Sequence, residues 1–473
     1  MKYFVLPKKV SASDNVENIK AIFLKKDLQI DLFDENVLTV DKKGGFVVLD
    51  FGKEMCGGIR ILTMQARSAC GGVNVRVRFG ESISEVYAEI GEKNATNDHS
   101  PRDVNLLLVS YSDISVGETG YRFVRIDFPV DCDIKIKTIV GINNILRKPL
   151  KNDYNGNDEN IKKIYDVAKR TVDLCASGDF VWDGIKRDRL VWSGDLYPEV
   201  LSLTHLYGRV KQIENSLDVE RTRAKFQGKW ISMITTYSMW WMACVAEYYN
   251  LTGAKDFAQK QISYVKEVIE QFDECVTVDG VMKYPEHFVD WPTYRHEDEQ
   301  LGSRLISIFA VKKGVALLKE FGEDISVAER LLEKLMKADM SVKSQKQVIG
   351  IKYFALGEIT DQEYQTLIAG GAKGFSTFMS YFILTAIASR DKALAIKLMK
   401  EYYSGMLSCG ATTFWEDFDL EWLDGSGRID ELPKEGQKDI HGDFGKYCYK
   451  GFRHSLCHAW SSGVIKFIAE NCD

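Results

Sequence analysis

The chain has 473 residues, which is long enough to bury a large core and to form two or three domains. Its formal net charge of -6 argues against nucleic acid or an anionic membrane as a partner, because either would require a basic face. A neutral ligand fits this charge balance better.

The N-terminus and the cysteines bear on the cellular compartment. The apolar stretch of Met1–Pro7 is too short for a secretory signal before Lys8 and Lys9, and no other run approaches a membrane span. The ten cysteines are scattered without a Cys-x-x-Cys pair, and Cys175 and Cys244 lie inside apolar runs. We therefore expect a cytoplasmic protein with reduced cysteines and no disulfides.

The first 150 residues have the pattern of an antiparallel β-sandwich. Short alternating or β-rich runs are separated by glycine-containing turns. The clearest runs are Phe46–Phe51, Val73–Phe79, Tyr121–Ile126 and Ile134–Ile139.

The pattern changes near Pro149, beyond which apolar residues recur at helical spacing. Two clear examples are the stripes from Ile161 to Cys175 and from Phe257 to Phe272. Gly253 and Gly322 follow apparent helix ends. Roughly a dozen helices of ordinary length fit in this part, and helices in sequential hairpins could close into a ring.

The segment Asp183–Asp195 reads Asp-Gly-Ile-Lys-Arg-Asp-Arg-Leu-Val-Trp-Ser-Gly-Asp. Its three carboxylates do not follow the three-to-four-residue period that would put them on one exposed helical stripe. The segment is therefore predicted to form a site rather than a solvated charged face.

A second acidic position is Glu416, which stands next to Trp415 and between two phenylalanines. A carboxylate in such an apolar setting needs a reason to be there. Two carboxyl groups brought together from distant segments, with aromatic platforms, are what hydrolysis of a glycosidic bond requires. All nine tryptophans lie between Trp182 and Trp460, as a sugar pocket in the helical part would require.

These phrases resemble glycoside hydrolase family 78, the inverting α-L-rhamnosidases. The resemblance rests on Asp183–Asp195, on the Gly-Ala-Thr-Thr-x-Trp-Glu run ending at Glu416, and on Ser455–Trp460. It is specific over roughly residues 150–470. It is weaker before them, where Asp50–Glu54, Phe79–Glu81 and Tyr121–Arg125 look like β-sandwich phrases of the family.

The resemblance implies a β-sandwich domain over residues 1–148 and an (α/α)6 barrel catalytic domain over residues 149–473. Family members commonly carry a further C-terminal β-domain. Only about fifty residues follow Trp422, so we expect a compact form without that domain, in which a homo-oligomer covers the exposed surface.

The resemblance also assigns roles. Glu416 matches the general base that activates water, and Asp188 stands where the family has its general acid. The best-known family pattern has glutamate at that position and Cys-Pro where this chain has Gly184-Ile185. Aspartate is one methylene shorter, so its proton must reach the glycosidic oxygen through a shifted backbone or a closer substrate.

The remaining predicted site residues bind the sugar. Asp183 and Asp195 match acids that hold the hydroxyls or raise the pKa of the acid by like-charge proximity. The full set of predicted substrate-binding residues is Asp183, Arg187, Trp192, Asp195, Trp240, Asp290, Trp291, Trp415, His458 and Trp460.

Each of these residues could instead have a purely structural role. The three acids could pair with Lys186, Arg187 and Arg189, and Ser193 or Asp195 could cap a helix. Trp240 and Trp241 could pack in the core, and Asp290 could form a loop turn. His458 could be an ordinary core or surface histidine, and Glu416 could reach solvent from an aromatic cluster.

Other chemistries lack their motifs. There is no phosphate-binding P-loop, dinucleotide fingerprint, His-Glu-x-x-His or Gly-x-Ser-x-Gly sequence. The gap between His287 and His296 is not a ligand spacing, so neither a metal nor a cofactor is expected.

The sequence therefore predicts an inverting glycoside hydrolase that releases terminal α-L-rhamnose from a small oligosaccharide or glycoside. Two further functions stay open. One is that of a glycosidase or phosphorylase of the same fold with another sugar specificity, and the second is that of a catalytically silent glycan-binding protein.

Overall fold

The N-terminal part of the chain forms one antiparallel sheet. The computed structural model describes residues 2–41, 43–69, 71–227, 230–447 and 449–472. The eight strands have the order β1-β8-β4-β7-β5-β6, with β2 on β4 and β3 on β8. The strands are β1 Lys2–Val5, β2 Lys9–Asp14, β3 Leu38–Val40, β4 Gly45–Arg67, β5 Val73–Gly80, β6 Asp103–Leu108, β7 Ser112–Phe128 and β8 Asp133–Asn144.

Alternation along the strands explains why they pack. In β5 the side chains of Val73, Val75 and Val77 are buried, and Asn74 between them is exposed. This period of two places one face of the strand on a core. The four predicted β runs are confirmed as parts of β4, β5, β7 and β8.

Strand β4 is much longer than the predicted run, at 23 residues. Its pairing with β7 shifts between Asp50 and Met55 and again between Gly57 and Ile59. Gly52 and Gly57 have φ angles of 81° and 147° at these irregularities. Glycines that read as turns in the sequence are therefore bends within one continuous strand.

Helices make up most of the structure after residue 150. In the described part of the chain a short α1 lies between β5 and β6, and twelve α-helices follow β8. They are α1 Ile83–Tyr87, α2 Glu159–Cys175, α3 Leu196–Tyr207, α4 Lys211–Gln227, α5 Thr236–Thr252, α6 Lys255–Glu274, α7 Glu299–Glu320, α8 Ser326–Leu335, α9 Lys346–Leu356, α10 Asp361–Ile368, α11 Ser380–Ala388, α12 Lys392–Ser408 and α13 Val464–Asn471.

The predicted helical stripes are α2 and α6. In α2, Ile161, Ile164, Ala168 and Val172 form the buried face, and the Asp158 side chain caps the first turn by accepting the N–H groups of residues 160 and 161. Helix α5 ends at Thr252, before Gly253 in the left-handed conformation, as the sequence predicts.

Alternate helices pack on one another. Helix α3 contacts α5, α5 contacts α7, α7 contacts α9, α9 contacts α11, α11 contacts α13, and α13 returns to α3. The intervening α6 and α8 pack against these helices, and α2 lies against α12 and α13. Within this closed series, most residues of α3, α5 and α11 are buried.

A buried charged cluster joins the sheet to the helical part. The Lys186 ammonium lies 2.9 Å from Glu81 and 3.4 Å from Glu85, and it donates to the carbonyl oxygens of Phe452 and His454. Burial opposes the charged form, but Glu81 and Glu85 raise the pKa of Lys186. Although Glu81, Glu85 and His441 are close enough to share a metal ion, the ammonium of Lys186 already supplies the positive charge there.

The described helices include none that combines the length and the hydropathy needed to cross a bilayer. Cys175 and Cys244 are buried and free, as the sequence predicts.

Candidate active site

The acidic segment forms a closed loop rather than a helix. The Asp183 N–H donates to the Leu190 carbonyl (3.0 Å), and the Leu190 N–H donates to the Asp183 carboxylate (2.9 Å). A further backbone bond from Ala459 to the Asp183 carbonyl fixes the loop to the segment that carries His458. The irregular spacing of the acids therefore comes from a loop whose base is Asp183 and whose tip is Asp188.

Asp188 sits at the tip in a strained backbone conformation. Asp188 and Arg189 have φ angles of 55° and 54°, a region that residues other than glycine rarely adopt. The Asp188 N–H donates to Nδ1 of His99, which also lies 3.1 Å from the Asp188 carboxylate. Such outliers cluster at functional sites, and the Asp188 side chain, 18% exposed, lines a cavity.

Glu416 is held from several directions and is 1% exposed. Its N–H donates to the Ser455 carbonyl, and its carboxylate accepts the Ser455 N–H (3.1 Å). Its carbonyl accepts the Thr377 hydroxyl and the Trp460 indole N–H. The backbone of Glu416 is therefore fixed at both its N–H and its carbonyl, and the Ser455 N–H orients its carboxylate.

Arg187 links the two candidate catalytic carboxylates. One nitrogen of its guanidinium donates to Asp188 (2.9 Å) and the other donates to Glu416. The guanidinium also lies over the Tyr449 ring, 4.5 Å from its centroid. Burial opposes the charge of Arg187, but Glu416 and Asp188 raise its pKa, so the arginine stays charged between them.

Burial dominates the acidity of Glu416. Burial raises the pKa of Glu416 to about 7, while Arg187 acts against this rise and Asp188 adds to it. A carboxyl group with a pKa near neutrality is suited to accept a proton in that pH range.

His458 lies among three carboxyl groups. Its Nε2 is 3.4 Å from Glu416, 3.8 Å from Asp195 and 3.9 Å from Asp183. Burial first, and then Arg187, lowers the pKa of His458 well below its ordinary value, which makes it a neutral imidazole. A neutral ring can both donate and accept hydrogen bonds, which suits contact with sugar hydroxyls.

Asp183 and Asp195 share this environment. Burial and the neighbouring carboxylates raise the pKa of Asp183 well above its ordinary value, and burial does the same for Asp195. Asp195 stands at the start of α3, but its side chain makes no capping bond and accepts the Tyr237 hydroxyl instead (3.0 Å). A capping role for Asp195 is therefore wrong. Among the three acids, ion pairing holds only for Asp188, since Lys186 and Arg189 pair with Glu81, Glu85 and Glu118.

These groups surround a cavity of about 340 Å³, which is within the range of small-molecule sites. Eight predicted site residues line it, namely Asp183, Arg187, Asp188, Trp192, Asp195, Trp291, His458 and Trp460. Met233, Ile234, Tyr237, Glu286, Phe288, Tyr294, Tyr449 and Arg453 complete the lining.

Four predicted site residues lie outside this lining. Trp240 is fully buried among Tyr197, Phe309, Phe378 and Phe382, and Trp415 is fully buried against Phe418 and His454. Asp290 caps the turn that begins at Trp291. Glu416 contacts two residues of the lining, Arg187 and His458, but does not line the cavity itself. The structure thus favours a core role for Trp240 and a turn role for Asp290.

Four aromatic residues line the cavity without having been predicted, namely Tyr237, Phe288, Tyr294 and Tyr449. Tyr237 and Phe288 lie next to predicted residues, in the run before Trp240 and in the run before Trp291. Tyr449 accepts the Trp291 indole N–H (2.8 Å) from 158 residues away. No local pattern indicates such a contact.

The structure has the fold of the family 78 rhamnosidases. It matches "rhamnosidase from Klebsiella oxytoca with rhamnose bound" with a TM-score of 0.74 and 18% identity, over 99% of this chain and 96% of that one. It matches the GH78 rhamnosidase of Bacillus sp. GL1 with a TM-score of 0.72 and 18% identity, over 96% of this chain and 48% of that one. It matches the α-L-rhamnosidase of Aspergillus terreus with a TM-score of 0.65 and 15% identity, over 91% and 53%.

No protein-family model and no curated protein sequence matches this chain. At 18% identity and below, the structural likenesses show a shared fold. Since function resides in sites rather than in folds, the activity has to be argued from the residues of the cavity.

Proposed function

We propose that the protein is an inverting glycoside hydrolase that releases terminal α-L-rhamnose from a small oligosaccharide or glycoside. The observation that carries this proposal is the Asp188–Arg187–Glu416 arrangement beside a cavity with acidic and aromatic walls. The carboxyl group of Asp188, which lines the cavity, and that of Glu416, which is bridged to it by Arg187, would supply the proton donor and the proton acceptor that hydrolysis with inversion needs.

In the proposed mechanism Asp188 acts in its protonated form and gives its proton to the glycosidic oxygen, and Glu416 acts as the carboxylate and takes a proton from water on the opposite face of the sugar. The bond to the leaving group breaks as the water oxygen bonds to the anomeric carbon, through an oxocarbenium-like transition state. Asp183, Asp195 and His458 would hold the hydroxyl groups. A separation of roughly 6.5–9.5 Å between the carboxyl groups of Asp188 and Glu416 would leave room for that water.

The proposed architecture is a β-sandwich domain over residues 1–148 followed by an (α/α)6 barrel over residues 149–473. The series of contacts that runs from α3 through the odd-numbered helices to α13 and back to α3 supports the barrel. The sheet, whose strands end at Asn144, supports the first domain.

The acidity of Glu416 leads to a prediction on pH. Because a base acts only when deprotonated, we expect kcat/KM to rise with pH through about 7, the pKa of Glu416. Arg187→Met removes the cation that lowers this pKa, so the rise should move to higher pH by roughly one unit or more. The matched Arg187→Lys keeps a charge and should shift less. A pH–rate profile of Arg187→Met with an unmoved acidic limb would contradict the role of Glu416.

The substrate proposal is tested by competition between two sugars. L-Mannose differs from L-rhamnose only in a hydroxyl group at C6, where rhamnose has a methyl group. The cavity lining includes apolar side chains such as those of Ile234, Phe288 and Trp291, and the proposal places the C6 methyl group against them. A buried hydroxyl without a partner costs about 1–3 kcal/mol, so L-rhamnose should inhibit more strongly and raise the melting temperature more than L-mannose.

Trp291 supplies the control. Its ring stacks on Tyr447, and its indole N–H donates to Tyr449, so its position is fixed. Trp291→Ala should erase the preference for L-rhamnose, and Trp291→Phe should keep most of it. An equal response of the unaltered protein to both sugars would reject rhamnose and leave a glycosidase of another specificity, which a panel of aryl α-L-glycosides would identify.

A second candidate function is a catalytically silent glycan-binding protein. The specific observation in its favour is that Glu416 does not line the cavity and that one guanidinium is hydrogen-bonded to both carboxylates. Such a protein would bind L-rhamnose but release no sugar from any aryl glycoside.

A further inference from the structure

A second cavity lies where the sheet meets the helical part, and it shares no lining residue with the candidate active site. Its volume is about 1010 Å³, the size of a site for a nucleotide or a larger metabolite. Its walls come from β1, from the bend in β4, from the connection after β8 and from α2, and Tyr207 at the end of α3 closes one side.

The charge of this cavity is opposite to that of the protein. Six cationic side chains line it, namely Lys8, Lys53, Arg147, Lys148, Lys169 and Arg170, against one carboxylate, Asp173. The chain as a whole has a net charge of -6. A concave surface that concentrates one sign of charge attracts ions of the opposite sign.

The cations of this cavity lack anionic partners. Among the described residues no carboxylate lies within 4.0 Å of a nitrogen of any of the six, whereas Arg76, Arg122 and Lys186 each pair with acids elsewhere. Lys148 and Arg170 donate only to backbone carbonyls, those of Arg209 and Glu54. The mutual repulsion of the six charges is therefore not relieved by the protein itself.

The one carboxylate of the cavity does little to offset this charge. Asp173 is buried and accepts the Tyr207 hydroxyl (2.6 Å). Burial raises the pKa of Asp173 to about 6, so even this group is partly neutral near that pH.

Arg170 gives a second, independent indication of an anion. Its side chain is partly buried, its Nε has no hydrogen-bond partner, and burial lowers its pKa. A desolvated cation without an anion is costly, and a bound anion would offset that cost. The guanidinium of Arg147 stacks on the Tyr3 ring, 3.7 Å from its centroid, which leaves its planar edge for a bidentate contact.

We propose that this cavity binds a phosphorylated small molecule, whose phosphate groups contact Arg147, Lys169 and Arg170 and whose organic part packs on the aromatic wall formed by Tyr3, Phe51 and Tyr207. Arginine and lysine together match the geometry and charge of phosphate oxygens. The proposal does not depend on the reaction proposed for the other cavity.

The test is calorimetric titration of the whole protein at low salt with inorganic phosphate, pyrophosphate, glucose 6-phosphate, ADP and citrate. We expect saturable binding of at least one phosphate compound, weakened at high salt because the contacts are electrostatic. Tighter binding of ADP than of pyrophosphate identifies a nucleotide, and tightest binding of glucose 6-phosphate identifies a sugar phosphate. Citrate binding as tight as that of the best phosphate compound would overturn the assignment to phosphate.

Charge reversal locates the site. Arg147→Glu and Lys169→Glu should each weaken binding tenfold or more. Lys163→Glu, on the exposed side of the same helix α2 and outside the cavity, should change it less than twofold. Circular dichroism of each variant checks that it is folded. The proposal fails if no phosphate compound binds at millimolar concentration, or if Lys163→Glu weakens binding as much as Lys169→Glu.

Discussion

Glu416→Gln is expected to lower kcat by roughly a hundredfold or more while leaving L-rhamnose binding within a few-fold of the unaltered protein. Glutamine has the shape of glutamate, and its amide oxygen can still accept either the N–H of Ser455 or the guanidinium of Arg187, which bond to different oxygens of the Glu416 carboxylate. It cannot accept a proton from water, so the loss falls on turnover. Steady-state kinetics and sugar titration separate the two effects.

Glu220→Gln is the matched control for Glu416→Gln. Burial raises the pKa of Glu220 to about 7, as it does for Glu416, but Glu220 lies on α4 outside the cavity lining. Its replacement should leave kcat unchanged. Azide needs no deprotonation and should restore turnover in Glu416→Gln, with a product of inverted configuration. A Glu416→Gln enzyme that keeps more than about a tenth of the original kcat would reject Glu416 as the base.

Asp188→Asn is expected to affect substrates in proportion to how much their leaving groups need a proton. An alkyl rhamnoside leaves as a strong base and should lose roughly a hundredfold to ten-thousandfold in kcat/KM. A dinitrophenyl rhamnoside leaves as a stable phenolate and should react at nearly the original rate. The measurement is kcat/KM for both substrates with the same variant.

Asp188→Glu is the companion variant, because it restores the residue that the best-known family pattern has. We expect it to keep substantial activity on the alkyl rhamnoside, since the loop from Asp183 to Leu190 fixes the backbone independently of this side chain. Equal losses on both substrates in Asp188→Asn would mean that Asp188 is not the proton donor.

Much of the fold follows from local patterns. A period of two predicts β5, and a buried stripe predicts α2, because in each case the side chains that face the core recur at the spacing of the element itself. The length of β4 does not follow, since the glycines at its bends have the same appearance in sequence as glycines in turns.

The candidate site divides in the same way. The loop from Asp183 to Asp195 is recognisable because its acids are close in sequence and are spaced as no helix would space them. The hydrogen bond from Arg187 to Glu416 joins residues 229 positions apart, and that from Trp291 to Tyr449 joins residues 158 positions apart. The sequence also does not show which tryptophans are buried. Trp240 and Trp415 are of the residue type that stacks on sugars, but both are fully buried in the core.

The ion pairs of Lys186 limit how the chain can be divided into recombinant fragments. A recombinant fragment that begins near residue 149 would keep this ammonium but lose Glu81 and Glu85, the carboxylates that balance it. A fragment that ends there would keep two buried glutamates without their cation. Because Lys186 is the neighbour of Arg187, the unbalanced charge would disturb the arginine that bridges Asp188 and Glu416. Expression, crystallisation and directed evolution of this protein should therefore use the undivided chain.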